Sequence, residues 1–206
     1  AGGIPIFADI CENSQNFKSS NISKLITPKT KGILCVHLAG WPCEMDRIME
    51  IAKKNNLFVV EDCAQAHGAK YKGTSVGSIG DIGCWSFCQD KIMTTGGEGG
   101  MVTTDDYNLY NIMLSIRSHG WIRDLSKKFK EKLDKKYKID EFRKLYTFYY
   151  PGYNFRSTDL NAFLGLEQLK SIKKNLKIRN ENNQLFKKLL KDFWHQTSAS
   201  NFVPSF

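Results

Sequence analysis

Two stretches decide how this chain folds: LFVVEDCAQAHGA at 57–69 and IGCWSFCQDK at 82–91. LFVV is a short apolar run rich in β-formers that stops at two carboxylates, so LFVVED is predicted as a buried strand with Asp62 at its carboxyl end. IGCWSF is predicted as a second such strand and GGMVTT at 99–104 as a third, with a glycine-rich loop holding Lys91 between them. Working outward, IPIFADI at 4–10 and KGILCVHL at 31–38 read as further strands, and residues 21–30 as a short helix ending in a turn at Pro28. From Pro42 a helix is predicted whose Met45, Ile48, Met49 and Ala52 recur at 3.6-residue spacing. Strands alternating with helices in this way define an α/β fold with a mostly parallel central sheet flanked by helices. In open sheets of that kind ligands gather at the carboxyl ends of the strands, the edge where Asp62 falls.

Beyond Asp105 the pattern is helical through Ser118, then comes the lysine-rich run KKFKEKLDKKYK at 127–138. It is followed by FYYPGYNFRSTDLNAFLGLEQLKSI, in which Ser157 or Thr158 is placed to cap a long helix with an apolar stripe of Leu160, Phe163, Leu164 and Ile172. There is no internal repeat and no low-complexity linker. The organisation expected is a main layered region over 1–120, a basic insertion over 121–150, and a long helix leading into a further region over 151–206.

With 206 residues, 41% of them hydrophobic and 25% charged, the chain is long enough for one ordinary core, which excludes wholesale disorder. No run of eighteen apolar residues occurs and AGGIPIFADI lacks the zones of a secretory signal, so no membrane association and a cytoplasmic location are expected. The net charge of +9 admits a polyanionic partner, but much of the excess lies in 127–138, interleaved with acids. That run reads as a solvated helical flap, and nucleic acid is not an expected partner. The six cysteines show neither a CxxC pair nor a Cys/His cluster at zinc-ligand spacing, so free, mostly buried thiols and no metal are expected.

Taken singly, the polar residues carry little: Asp62 reads equally as a capping or ion-paired acid, Ser86 as a filler, Lys91 as a solvated loop lysine. Jointly they supply what a phosphorylated pyridine cofactor needs, namely an acid for the ring nitrogen, an amine for covalent attachment and a hydroxyl for the phosphate. A tight loop of small residues, KIMTTGGEGG, brings backbone close to that amine, and desolvation beside a cationic ring lowers its pKa.

The motifs EDCAQAHGA, SFCQDK, GGEGGMV and PGYNFRSTDLNAFLGLEQL, in this order over some 130 residues, resemble the DegT/DnrJ/EryC1/StrS family of pyridoxal-phosphate-dependent nucleotide-sugar aminotransferases. The resemblance implies the large domain of the aspartate-aminotransferase-like fold, fold type I, over 1–120, and the start of a small domain within 151–206. It implies pyridoxal 5'-phosphate as cofactor, with Lys91 as the catalytic lysine that carries it, Asp62 paired with the pyridine nitrogen, Gln65 over the ring near its phenolic oxygen, and Ser86 on the phosphate. Asn154 corresponds to the asparagine that reaches a partner subunit's cofactor phosphate, which implies a homodimer with shared sites. The substrates implied are glutamate and a nucleotide-linked keto-deoxysugar, in the making of cell-surface polysaccharide or glycoconjugate precursors.

His67, Glu98, His119 and Arg156 lie in matching motifs without an assigned role. Arg156 and His119 are candidates for substrate binding, while Arg156 reads equally as a partner of Asp159, and His37 and His119 as packed, satisfied polar groups. The family's upstream Gly-Ser/Thr phosphate loop and stacking aromatic are absent, as is most of the small domain, so the chain reads as truncated at both ends. A sugar 3-dehydratase of the same family is the alternative, although that branch carries histidine at the position of Lys91. A non-catalytic member of the family is a second alternative.

Overall fold

The computed structural model describes residues 2–193, 195–196 and 202–205. The chain divides into two compact units, one of Ala1–Thr103 with Leu160–Phe206 and one of Thr104–Asp159.

The first unit is organised by a four-stranded sheet of β1 (Gly32–Val36), β2 (Phe58–Asp62), β5 (Ile82–Ser86) and β6 (Gly100–Thr103), in the spatial order β1-β2-β5-β6. The first three are mutually parallel and β6 runs antiparallel to β5, so the sheet is mostly parallel as the alternating pattern predicts. A small second sheet pairs β3 (Lys70–Tyr71) with β4 (Thr74–Ser75) and with β7 (Phe202–Val203). These two-residue strands are too short for a period-two pattern to reveal them.

Between β1 and β2 runs helix α2 (Met45–Lys54), preceded by α1 (Ser19–Leu25) at the entrance to the sheet. The predicted stripe on α2 buries Met45, Ile48 and Ala52, which form one core with Cys35 of β1 and Val59 of β2. Alternation along each strand sends Cys35 and Val59 into that core and leaves Leu34, Val36 and Phe58 exposed on the opposite face. Burying a side chain the size of Ile48 contributes roughly 1.5–3 kcal/mol, so the helix-covered face carries the stability of this unit.

Gly83 shows how tightly β5 is hemmed in: an added Cβ would meet the Gly77 carbonyl oxygen and lie 2.6 Å from the Gly77 Cα and from Thr103 Oγ1. The loop leading into β5 is therefore pressed on the strand by direct backbone contact.

Several expectations change. IPIFADI forms no strand; apart from an isolated bridge between Ile10 and Phe17 it makes no ladder, and Ile4, Ile6 and Phe7 are exposed, because an apolar run becomes a strand only beside one to pair with. Helix α2 begins three residues after Pro42. The long C-terminal helix is two helices, α6 (Asp159–Leu169) and α7 (Ile172–Leu189), parted at Lys170–Ser171. Its stripe is largely uncovered, with Leu160 and Phe163 exposed and Gly165 the buried position of α6. No helix among the described residues is long and apolar enough to cross a membrane.

The second unit contains α3 (Tyr107–Arg117), α4 (Lys127–Tyr137) and α5 (Glu141–Lys144). Each starts at a side-chain cap: Asp106 accepts from Leu109 N, Ser126 from Phe129 N and Asp140 from Arg143 N. The lysine-rich run is the helix α4, as predicted, but it is not solvated all round. Phe129 and Leu133 are buried in a cluster with Ile122 and Leu125, and the lysines occupy the rest of its surface.

Gly83→Ala is expected to destabilise the protein by about 1–3 kcal/mol, since backbone on one side and a strand on the other leave the methyl no room. Urea unfolding monitored by circular dichroism checks this, and an unchanged midpoint would contradict the packing described for β5.

Candidate functional site

In β2 and β5 the register pairs Val60 with Ile82, Glu61 with Gly83 and Asp62 with Cys84. Paired residues of parallel strands point to the same side, so Asp62, Cys84 and, two residues on, Ser86 all face the side of the sheet opposite the core. Strand spacing and rise put the Asp62 and Ser86 Cα atoms about 8 Å apart, a span that a substituted pyridine ring can bridge. Both stand at the carboxyl edge.

Local hydrogen bonds settle what each side chain has left to offer. Asp62 Oδ1 accepts from Ala64 N at 3.0 Å, closing the turn after β2 and leaving Oδ2 available. Gln65 Oε1 accepts from Ala39 N at 2.7 Å, which fixes the amide orientation and leaves its NH₂ as a donor. Ser86 Oγ accepts from Cys88 N at 3.3 Å and keeps its own proton for an acceptor such as a phosphate.

Lys91 sits in the loop between β5 and β6. That loop is laced by Phe87 N to Gly99 O at 2.8 Å, Gln89 N to Gly97 O at 2.9 Å and Lys91 N to Cys88 O at 3.0 Å. Helix α6 holds it from outside, with Asn161 Nδ2 donating to Thr95 O at 2.6 Å and Gln168 Oε1 accepting from Thr94 N at 2.8 Å. Asn161 and Gln168 are seven residues apart, two turns on one helical face; that spacing is the sequence signal that could have singled them out. The Lys91 ammonium makes no hydrogen bond or ion pair among the described residues.

His67 links the loop to the sheet. It is buried between Trp85 and Phe87, with ring centroids at 5.4 and 5.8 Å, and neither ring nitrogen has a hydrogen-bond partner among the described residues. Burial first, and then the charge of Lys91, hold its pKa below the ordinary histidine value, while the nearby Ser86 backbone pulls the other way without completing a bond. The lysine charge thus acts at the same edge as Ser86.

A residue that the sequence reading did not single out is Glu61. Its carboxylate is fully buried and receives four donors: Gly77 N at 2.8 Å and His37 Nε2 at 3.0 Å on Oε2, Ile79 N at 2.8 Å and Gly80 N at 2.6 Å on Oε1. His37 Nδ1 accepts from Cys43 N at 3.0 Å, so it has no proton there and the Nε2–H points at Glu61. His37 is the packed, satisfied polar group the sequence predicts. Burial pushes the Glu61 carboxyl up, but the His37 ring and the amides of Gly80, Gly77 and Ile79 outweigh it and hold the pKa below the ordinary value. The only sequence signal was an acid one position out of phase, on the core face of a strand.

His37, Glu61 and Cys63 lie close enough to surround a cation. The His37 and Glu61 ligand atoms are already engaged with one another and with backbone amides, and burial holds the Cys63 thiol well above its ordinary pKa, so the trio reads as structural. The surface hollow lined by Asp46, Met49, Lys53, Leu57 and Asp81 lies at the opposite, amino edge of the sheet and belongs to no candidate residue.

In the second unit, Tyr153 N donates to Ile116 O, His119 N to Tyr153 O and Phe155 N to Arg117 O, and Ser118 bridges to Asn154. This brings His119, Asn154 and Arg156 onto one short extended pairing, with Asn154 and Arg156 exposed. Arg156 forms no ion pair with Asp159 among the described residues. His119 is half-buried with its ring edge-on to Trp121 at 5.2 Å, and its backbone is left-handed at φ 60°.

An acid and a hydroxyl on one open sheet face, with an unpaired lysine in the loop beyond, suit a phosphorylated pyridine. Residues 1–201 match the DegT/DnrJ/EryC1/StrS aminotransferase family. The chain is 41% identical over 187 residues to a GDP-perosamine synthase of Escherichia coli O157:H7, covering 91% of this chain and 46% of that protein. An aminotransferase structure from Psychrobacter cryohalolentis superposes with a TM-score of 0.77 at 49% identity, over 89% of this chain and 44% of the other. An E. coli GDP-4-keto-6-deoxy-D-mannose-3-dehydratase with bound hydrated PLP superposes at 0.80 with 30% identity, over 95% and 51%. The chain spans about half the length of the relatives it matches. The class defined is the α/β architecture of the pyridoxal-phosphate-dependent aminotransferases. Within it, the chain belongs to the DegT/DnrJ/EryC1/StrS family.

Because the folded pKa of Glu61 lies below its unfolded value, ionisation of this group stabilises the fold above about pH 4.3, and that contribution is lost as pH falls through the lower folded value. Unfolding free energy followed from pH 6 down to pH 3, by denaturant titration, is expected to fall more steeply in the wild type than in Glu61→Gln; parallel profiles would show that the carboxylate carries no such linkage.

Proposed function

We propose that this chain supplies the cofactor-holding part of an enzyme that transfers an amino group from glutamate to a keto group of a nucleotide-linked deoxysugar, for cell-surface polysaccharide or glycoconjugate precursors. The observation that carries the reading is the placement of Asp62 and Ser86 on one sheet face with Lys91 unpaired in the adjoining loop, in a chain 41% identical to a GDP-perosamine synthase.

Bound pyridoxal 5'-phosphate supplies an electron sink for the carbanion formed next to the donor nitrogen. Lys91 Nζ would hold the cofactor covalently and, once freed by the donor amine, would serve as the base that carries the donor's α-proton. Its lack of a carboxylate partner leaves the amine free for this work. Asp62 Oδ2 would hold a proton on the pyridine nitrogen, the Gln65 NH₂ would be the donor for the phenolic oxygen, and Ser86 Oγ–H would be the donor for the phosphate.

Residues 1–120 are assigned to the large domain, 121–150 to a basic insertion, and 151–206 to the region of α6 and α7 and the start of the small domain. Asn154 is assigned to the cofactor phosphate of a second subunit in a homodimer with shared sites, and Arg156 and His119 to the nucleotide sugar. The setting proposed is the cytoplasm. A dehydratase is the second reading, favoured by the likeness to the PLP-bound dehydratase, and Lys91 argues against it.

In the whole protein, Lys91→Ala is expected to abolish the visible absorbance of lysine-bound cofactor and to cut amino transfer roughly a hundred- to ten-thousand-fold; a variant with unchanged absorbance would end the assignment. Incubating a nucleotide-linked 4-keto-deoxysugar with and without glutamate separates the two activities, because a deoxygenated sugar product in place of an aminated one identifies the dehydratase.

A further inference from the structure

We propose that Glu61 is a positioning residue for the cofactor site: its buried carboxylate sets where Asp62, Gln65 and Ser86 stand relative to one another. The inference rests on the function proposed above for what the three residues hold, and on the hydrogen-bond geometry alone for how they are held.

Three tethers leave the same carboxylate. The first is covalent. Glu61 and Asp62 are consecutive in β2, so their side chains leave opposite faces of the sheet, and anchoring one in the core fixes the twist and height at which the other emerges. The second runs through the loop 77–80, whose Gly77, Ile79 and Gly80 amides converge on Glu61 and which leads directly into β5, the strand that ends at Ser86. The third runs through His37, bonded to Glu61 by Nε2. Two residues on, Ala39 N holds Gln65 Oε1 at 2.7 Å, and His37 N also donates to Asp62 O at 3.1 Å.

Asp62, Ser86 and Gln65 are thus each tied to Glu61, the first by the chain itself, the second by the loop 77–80 and β5, and the third by His37 and Ala39. Lys91, on the far loop, is not. A carboxylate suits the place because all four groups around it are donors. Glutamine has the same shape, but its NH₂ must replace either Oε2, facing His37 and Gly77, or Oε1, facing Ile79 and Gly80; in both orientations donor meets donors and the loop must move away.

The test uses the whole protein with Glu61→Gln, and as control Ile48→Val, a cavity-forming change on α2 in the same core that makes none of these bonds. Pyridoxal phosphate affinity and the pH midpoint of the lysine-bound visible band are measured for both, alongside backbone amide NMR shifts of the cofactor-free proteins. Glu61→Gln is expected to weaken cofactor binding about tenfold or more, shift the midpoint, and displace the Asp62, Gln65 and Ser86 amide signals together. Ile48→Val is expected to lower thermal stability while leaving affinity and midpoint at wild-type values.

Wild-type affinity and midpoint in Glu61→Gln, or equal changes in Ile48→Val, would overturn the proposal. Should the wild type itself bind no cofactor through lysine, the functional reading fails and the amide shifts decide the clamp: joint displacement at the three residues upholds it, and displacement confined to 77–80 overturns it. Where Glu61→Gln does not fold, His37→Ala, which removes the donor to Glu61 altogether, is read by the same measurements with the same expected directions.

Discussion

A carboxylate taken out of water without compensation costs several kcal/mol, and Glu61 is taken out of water entirely. It remains ionised because three backbone amides and one imidazole N–H converge on its two oxygens. None of these donors carries a full charge, so the group is stabilised by oriented dipoles, and those dipoles must hold their directions. The loop 77–80 and the end of β1 are therefore placed by what Glu61 requires. Gly77 and Gly83 make this possible sterically, since their backbones touch where a side chain would force the loop off the strand.

The strand that carries this anchor presents Asp62 on its other side. Period-two alternation gives Glu61 to the core and Asp62 to the open face, and the parallel register gives Ser86 the same face as Asp62. A buried anchor and an open-face acid are thus adjacent residues. This face carries an acid and a hydroxyl, while the loop from β5 to β6 holds Lys91, whose amine has no bonded partner among the described residues. Helix α6 holds that loop through Asn161 and Gln168, so the motif DLNAFLGLEQL serves the site from outside it.

In the second unit the lysine-rich segment is a capped amphipathic helix. Phe129 and Leu133 insert into a small apolar cluster and Lys144 pairs with Asp134 at 3.0 Å, which ties α5 to α4. Much of the excess positive charge of the chain is therefore carried by a folded helix with a buried face.

Local pattern alone determined the α/β class, the four strands of the main sheet, the α2 stripe and the candidates Asp62, Ser86 and Lys91, because alternating and 3.6-residue periodicities and strand ends are properties of neighbouring residues. It misjudged IPIFADI, whose apolarity has no partner strand to turn into a ladder, and the continuous C-terminal helix, which parts at Lys170–Ser171. Tertiary structure alone decided which partners Glu61 has, because these are amides sixteen to nineteen residues away and a histidine just past the end of β1. It also decided the burial of His67 between two aromatic rings and the hold of α6 on the Lys91 loop. Those interactions join segments far apart in sequence, and a hydrogen bond between such segments exists only once the chain has closed upon itself.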